Sequence, residues 1–209
     1  MPKKIFAMLI LLLAPLCCHA ALPIDSLFLT MPIGTGDRLS TAERLNLLHT
    51  YGESDATAYN ADDETNAKIL FLSDSLLVVQ VSEAATMQLC IVPNGDIALI
   101  KTTLKPSAYS RIKVYDDKWQ LKKDVTPEFA LQDFLKPVSE DSISTERQAQ
   151  LRKMMSPLFV QADFAKDGTG DVLFAVNPAQ MVKNDANLVK RLMLKPRRLT
   201  WAALVALSK

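Results

Sequence analysis

Leu89-Cys90-Ile91-Val92-Pro93-Asn94-Gly95-Asp96-Ile97-Ala98-Leu99-Ile100 is the stretch whose reading decides the fold. Two apolar runs flank Asn-Gly, the strongest short-range hairpin signal, because a type I′ turn needs positive φ at both central residues. With Asn94 and Gly95 as a two-residue loop, Val92 faces Ile97, Ile91 faces Ala98, Cys90 faces Leu99 and Leu89 faces Ile100. Paired residues share a face. Leu89, Ile91, Ala98 and Ile100 then line one side, and Cys90, Val92, Ile97 and Leu99 the other. Both sides are apolar near the turn, so both are expected to be covered there. Further out Gln88 faces Lys101, which predicts that the second side becomes wet.

Working outward, residues 69–72 and 76–81 are continuous apolar runs, the pattern of central strands covered on both faces. Residues 111–115, Arg-Ile-Lys-Val-Tyr, alternate strictly and predict a half-exposed strand near an edge. The span 69–119 therefore reads as one antiparallel meander. Ahead of it, Ser40-Thr41-Ala42-Glu43 is a capping box. It predicts a helix over 41–51, stopped at Gly52, with Ala42, Leu45 and Leu48 turned toward the sheet. Beyond the meander, Thr126-Pro127-Glu128 predicts a helix start, with Ala130, Leu131 and Phe134 as its stripe. Ser144 caps a further helix reaching about Met155. Residues 158–164 and 171–176 read as strands joined by Lys166-Asp167-Gly168-Thr169-Gly170. Residues 198–207 alternate Leu199, Trp201, Ala203 and Val205 and predict a last strand, against alanines that also suit a helix. The fold class is α+β: an antiparallel β-meander covered by a few short helices.

The chain opens with Met1-Pro2-Lys3-Lys4, an apolar run over 5–16, and Cys18-His19-Ala20. Two lysines, a short apolar segment and a small-residue site make a secretory signal peptide, with cleavage expected after Ala20. The run is too short to span a bilayer. The alternative is lipid anchoring at Cys17 or Cys18, but Pro15 and Leu16 stand where that route wants small residues. The expected location is periplasmic or secreted. Loss of Lys3 and Lys4 changes the formal net charge from +1 to −1. Beyond the leader one cysteine, Cys90, and one histidine, His49, remain. A single cysteine makes no internal disulfide, so stability must come from an apolar core. Residues 21–209 are expected to form one α+β domain, or two subdomains dividing near residues 123–157.

Leu29-Thr30-Met31-Pro32, Arg38-Leu39, Thr86-Met87-Gln88-Leu89, Pro93 and Ser110-Arg111-Ile112-Lys113-Val114-Tyr115-Asp116-Asp117-Lys118-Trp119 carry a resemblance. The chain resembles a family of exported proteins of unknown function from Bacteroidetes-type bacteria. Such proteins share a Met-Pro near the mature start, a leucine-rich helix after an Arg-Leu, and a serine, tyrosine, aspartate and tryptophan pattern closing the meander. The resemblance covers most of the mature chain and is best over residues 28–120. It implies export and fold, and carries over no catalytic residue. The C-terminal end departs from it, lacking an aromatic and glycine-rich finish.

The inventory bounds the chemistry. Nucleophilic catalysis needs a base beside the nucleophile, and His49 on its helix is the one imidazole left. Cys90 sits in an apolar strand, where free cysteine behaves as a small hydrophobe. Zinc sites draw on several thiolates or imidazoles. Asp163, Asp167 and Asp171 fall near Gly168 and Gly170, but counting from Asp167 the sixth position is Val172, not the glycine of a calcium loop. An Asp-Gly turn explains the same residues. Asp116 and Asp117, adjacent on the chain, cannot form a catalytic carboxylate pair by themselves. No cofactor and no metal are expected.

Lys183, Lys190, Arg191, Lys195, Arg197 and Arg198 form the one clear charge asymmetry. They are the candidate patch for an anionic partner, against the plainer reading of a solvated face. The expected function is a non-catalytic module of the cell envelope that binds an envelope protein or glycan. The alternative is a hydrolase working through carboxylates alone. Nucleic acid is not an expected partner for an exported chain of near-neutral charge, and no membrane-spanning segment is expected.

Overall fold

A computed structural model describes residues 22–53, 57–60, 65–178 and 181–208. The leader with Cys17 and Cys18, and the acidic triplet Asp62-Asp63-Glu64, lie outside the described residues.

Two helices come first, α1 (Ile24–Thr30) and α2 (Thr41–Thr50). The meander follows: β1 (Ala58–Asn60), β2 (Thr65–Leu72), β3 (Leu76–Ser82), β4 (Ala85–Ile91), β5 (Ile97–Thr103), β6 (Tyr109–Tyr115) and β7 (Leu121–Asp124). These strands form a seven-stranded antiparallel sheet in sequence order. The C-terminal part holds α3 (Thr145–Met154), β8 (Val160–Phe164), β9 (Val172–Val176), α4 (Lys183–Leu188), β10 (Arg197–Leu199) and α5 (Trp201–Leu207). Its strands make a second antiparallel sheet, ordered β10-β9-β8. The protein is α+β, as the sequence predicts. Among the described residues no helix is long and apolar enough to cross a membrane.

The central hairpin corrects the predicted register by one residue. Ile91 pairs with Ile97, Cys90 with Ala98, Leu89 with Leu99 and Gln88 with Ile100. The reason is Pro93. Its ring fixes φ near −65°, which suits the second position of a type I turn. Gly95 N–H donates to Val92 O, Val92 N–H donates to Asp96 O, and only Gly95 takes positive φ (81°). The loop is thus a type I turn followed by a left-handed residue, a three-residue hairpin connection. Shifting a strand by one residue exchanges its faces. Met87, Leu89, Ile97 and Leu99 pack with α1 and α2, whereas Cys90, Val92, Ala98 and Ile100 pack with the second sheet.

Gln88 changes role with the register. It is buried, accepts from Phe164 N (2.9 Å) and donates to Asp163 Oδ1 (2.6 Å). Ser110 Oγ accepts from Ala162 N (2.8 Å). Polar side chains of the large sheet thereby satisfy the outer edge of β8, which would otherwise bury unpaired donors.

Ser40 and Glu43 form the predicted capping box of α2. The buried stripe differs: Arg44 and Leu47 turn inward, and Leu45 is exposed. Arg44 is drawn in because it completes α1. Its Nη1 donates to Phe28 O (3.0 Å) and to Met31 O, carbonyls at a helix end that no helical N–H reaches. Its Nη2 meets Asp37 Oδ1 at 2.7 Å.

Two further expectations are corrected. The residues after Thr126 are extended, with only a 3₁₀ turn over Leu131–Phe134. Thr126 does not cap a helix; its hydroxyl accepts from Ile112 N (2.8 Å) on β6. Residues 198–207 are not one strand. The strand ends at Leu199, and Thr200 accepts from Ala203 N to cap α5, where only Trp201 and Leu204 are buried. One buried stripe on a short helix suits the alanines better than a strand does.

Candidate functional site

The helices α1 and α2 pack against β2, β3 and β4. The loop between them passes over Met87 and brings Thr35 to the border of β5. A Cβ added to Gly36 would lie 2.2 Å from Met87 Sδ, so the loop backbone sits directly on β4. The neighbouring part of β5 and β6 on this face stays uncovered. A groove of about 140 Å³ lies there, bordered by Thr35 and floored by the two strands.

Register explains what the floor presents. Lys101 stands opposite Arg111, Leu99 opposite Lys113, and Thr103 opposite Tyr109. Opposite residues share a face, so Lys101, Arg111, Lys113 and Tyr109 converge on this groove. Like charges directly opposed across an antiparallel pair are destabilising, by roughly 0.2–1 kcal/mol. None of the ion pairs among the described residues includes Lys101, Arg111 or Lys113. Asp124 stands across from Lys113, but its carboxylate accepts from Thr126 N. Asp37 lies close enough for Lys101 to lower its carboxyl, yet it is buried and held by Arg44. Burial nonetheless leaves the Asp37 carboxyl above its ordinary range, outweighing the pull of Arg44.

The patch expected at the C-terminal end is dispersed. Arg197 pairs with Asp133 (2.8 Å) and lies over the Phe129 ring. Arg198 bridges Asp167 (2.6 Å) and Asp171 (2.8 Å). Lys183, Lys190, Arg191 and Lys195 are exposed, on α4, on the π-helical turn Val189–Met193 and on the chain leading to β10. Among the described residues the six are spread over α4, the π-helical turn, the chain leading to β10 and β10 itself.

The acidic residues of the Asp-Gly segment serve the turn. Asp167 Oδ1 accepts from the Thr169 hydroxyl (2.6 Å) and backbone (3.2 Å). Those bonds and Arg198 hold its carboxyl down at about 2. Asp163 belongs to the Gln88 contact instead. Cys90 is buried and unpaired, and burial pushes its thiol up to about 12. His49 is exposed on α2.

The cationic groove escaped sequence reading for a definite reason. Its residues come from two strands joined through Leu104-Lys105-Pro106-Ser107-Ala108, which carries no two-residue turn signal to fix their register. The alternation of Arg111 and Lys113 was the available clue.

Fold and groove together define an α+β protein whose antiparallel sheet is covered on one side by a small sheet and on the other only in part, leaving a basic strip bare. The chain matches, over residues 18–205, the family described as "Protein of unknown function (DUF3256)", and it belongs to that family. No curated protein matches it. It is similar in fold to a solved structure, "Structure of a domain of an uncharacterized protein from Porphyromonas gingivalis W83", with 20% identity and a TM-score of 0.64. The match covers 85% of this chain and 93% of that one.

Proposed function

We propose that this protein is an exported, non-catalytic module of the cell envelope that binds an anionic group of an envelope protein or glycan in the groove of β5 and β6. The observation that carries the reading is the opposed pair Lys101 and Arg111, on an uncovered face and without a carboxylate in contact. A bound carboxylate, sulfate or phosphate would relieve that repulsion, and Tyr109 beside it supplies a flat, half-apolar contact. Export is supported by the leader pattern.

Capture from envelope fractions tests the proposal. Wild type and Lys101→Gln/Arg111→Gln are compared after both are shown to fold. The double variant is expected to lose a partner that wild type retains and that added salt displaces. Retention of the same partner by the folded variant contradicts the reading. N-terminal sequencing of the envelope material is expected to begin at Ala21; a lipid-blocked Cys17 or Cys18 would mark anchoring instead.

A further inference from the structure

The strands beneath the cationic groove have no backbone to offer a ligand. Each β5 residue from Ile97 to Thr103 stands opposite one residue of β4 and one of β6. On β6, Ile112 turns its backbone away from β5: its O accepts from Val125 N (2.9 Å) and its N–H reaches the Thr126 hydroxyl. Backbone direction alternates along an antiparallel strand. Tyr109, Arg111 and Lys113 therefore turn theirs toward β5. The main chain under the groove is committed to the sheet, and a ligand there meets side chains alone.

Those side chains are of three kinds. Lys101, Arg111 and Lys113 are cations, Thr35 and Thr103 bring hydroxyls, and Tyr109 brings a ring with a hydroxyl at its tip. None of the six makes a side-chain hydrogen bond or ion pair among the described residues. Tyr109, Arg111 and Lys113 form a row roughly 14 Å long, with Lys101 opposite Arg111 and Thr103 opposite Tyr109. The hollow itself is about 140 Å³, well below the roughly 300–1,000 Å³ of a site that encloses a small molecule. Its occupant lies along the strip and continues beyond it.

We infer that the strip binds a segment of acidic polysaccharide, with a uronate carboxylate between Lys101 and Arg111, a second acidic group at Lys113 and a sugar ring laid on Tyr109. The inference rests on the anion-binding reading above and names the polymer that carries the anion. An extended acidic peptide finds no main-chain partner here, and strand addition needs one. A sugar needs none. Its hydroxyls pair with side-chain hydroxyls, and the C–H face of its ring lies on a tyrosine, apolar on its face and polar at its tip. The guanidinium fork of Arg111 matches both oxygens of a carboxylate, and Lys101 adds a point charge beside it.

The test is calorimetric titration of the protein with trigalacturonate, its methyl ester, capped triglutamate and inorganic phosphate, all at one ionic strength. Trigalacturonate is expected to bind saturably, and the ester and triglutamate at least about tenfold more weakly. Tyr109→Leu, which keeps apolar bulk on the strand, should weaken trigalacturonate by about three- to tenfold and leave phosphate unchanged. Thr103→Val, a second change away from the cations, should also weaken trigalacturonate and spare phosphate. Lys101→Gln/Arg111→Gln should abolish binding of both. Triglutamate binding as tightly as trigalacturonate, or phosphate binding where trigalacturonate does not, overturns the polysaccharide and leaves the anion groove standing. An ester that binds as tightly as the acid, or folded Tyr109→Leu and Thr103→Val proteins with undiminished trigalacturonate binding, also overturns it. Failure of every anion to bind overturns both readings.

Discussion

Arg44 shows how one residue sets a local architecture. It is 1% exposed, holds two carbonyls at the end of α1, and forms an ion pair with a fully buried carboxylate. Breaking a buried pair by removing one member costs about 3–5 kcal/mol, because the other charge is stranded. Arg44→Met is expected to lose that much at neutral pH, measured by urea unfolding. Asp37 already sits above its ordinary range, and without Arg44 it rises further. A carboxyl raised in the folded state contributes stability below its unfolded value, lost as pH rises through the folded one. The deficit of Arg44→Met should therefore shrink as pH falls toward 4; a deficit independent of pH would contradict the assignment. Asp167 has the opposite sign. Its carboxyl is lowered to about 2 by Thr169 and Arg198, so its contribution is present above its ordinary value of 3.8 and fades as pH falls from there to about 2. Asp167→Asn should flatten that part of the acid-unfolding curve, and an unchanged curve would remove Asp167 from the account.

At the scale of elements, the central hairpin carries the clearest lesson. Asn94-Gly95 locates the turn, and the strands on either side are where the apolar runs place them. The register is not legible from Asn-Gly alone, because Pro93 selects a three-residue connection over the two-residue one. The two turn types make different demands. In the observed turn only Gly95 is left-handed, so Gly95→Ala should cost about 1 kcal/mol or more, and Asn94→Ala clearly less. Equal losses by thermal unfolding would favour the type I′ turn. The capping boxes tell a similar story. Ser40 and Glu43 mark α2 correctly, since their bonds are local. The buried face of that helix was not legible, because Arg44 is buried for partners on α1 and in the loop after it. Thr126 looks like a cap by its neighbours, yet the edge of β6 competes for its hydroxyl and wins. Thr200 is the cap the alternation of Leu199, Trp201 and Val205 concealed. Thr200→Ala should cost about 1 kcal/mol of stability, the usual loss for a cap; no loss would mean that α5 is held by Trp201 and Leu204 alone.

For the whole molecule, the large sheet separates two apolar cores. One lies under α1 and α2, the other under the small sheet, and a third cluster joins α3 to α4 and the π-helical turn. The α+β class was legible because apolar runs and turn signals are local. The groove was not, because it depends on which residues of β5 and β6 stand opposite each other. Natural sheets tend to avoid like charges in that relation, so the Lys101–Arg111 pair is the feature that a ligand would explain. The most direct test is the thermal midpoint of wild type and Lys101→Gln, each in sodium chloride and in sodium phosphate at matched ionic strength. Relief of repulsion worth about 0.2–1 kcal/mol should raise the midpoint of the variant in chloride by up to about 4 °C for a chain of this size. Phosphate should raise the midpoint of wild type by a comparable amount and leave Lys101→Gln nearly unmoved. Equal responses of the two proteins to phosphate, or a variant less stable than wild type in chloride, would contradict an anion-binding groove.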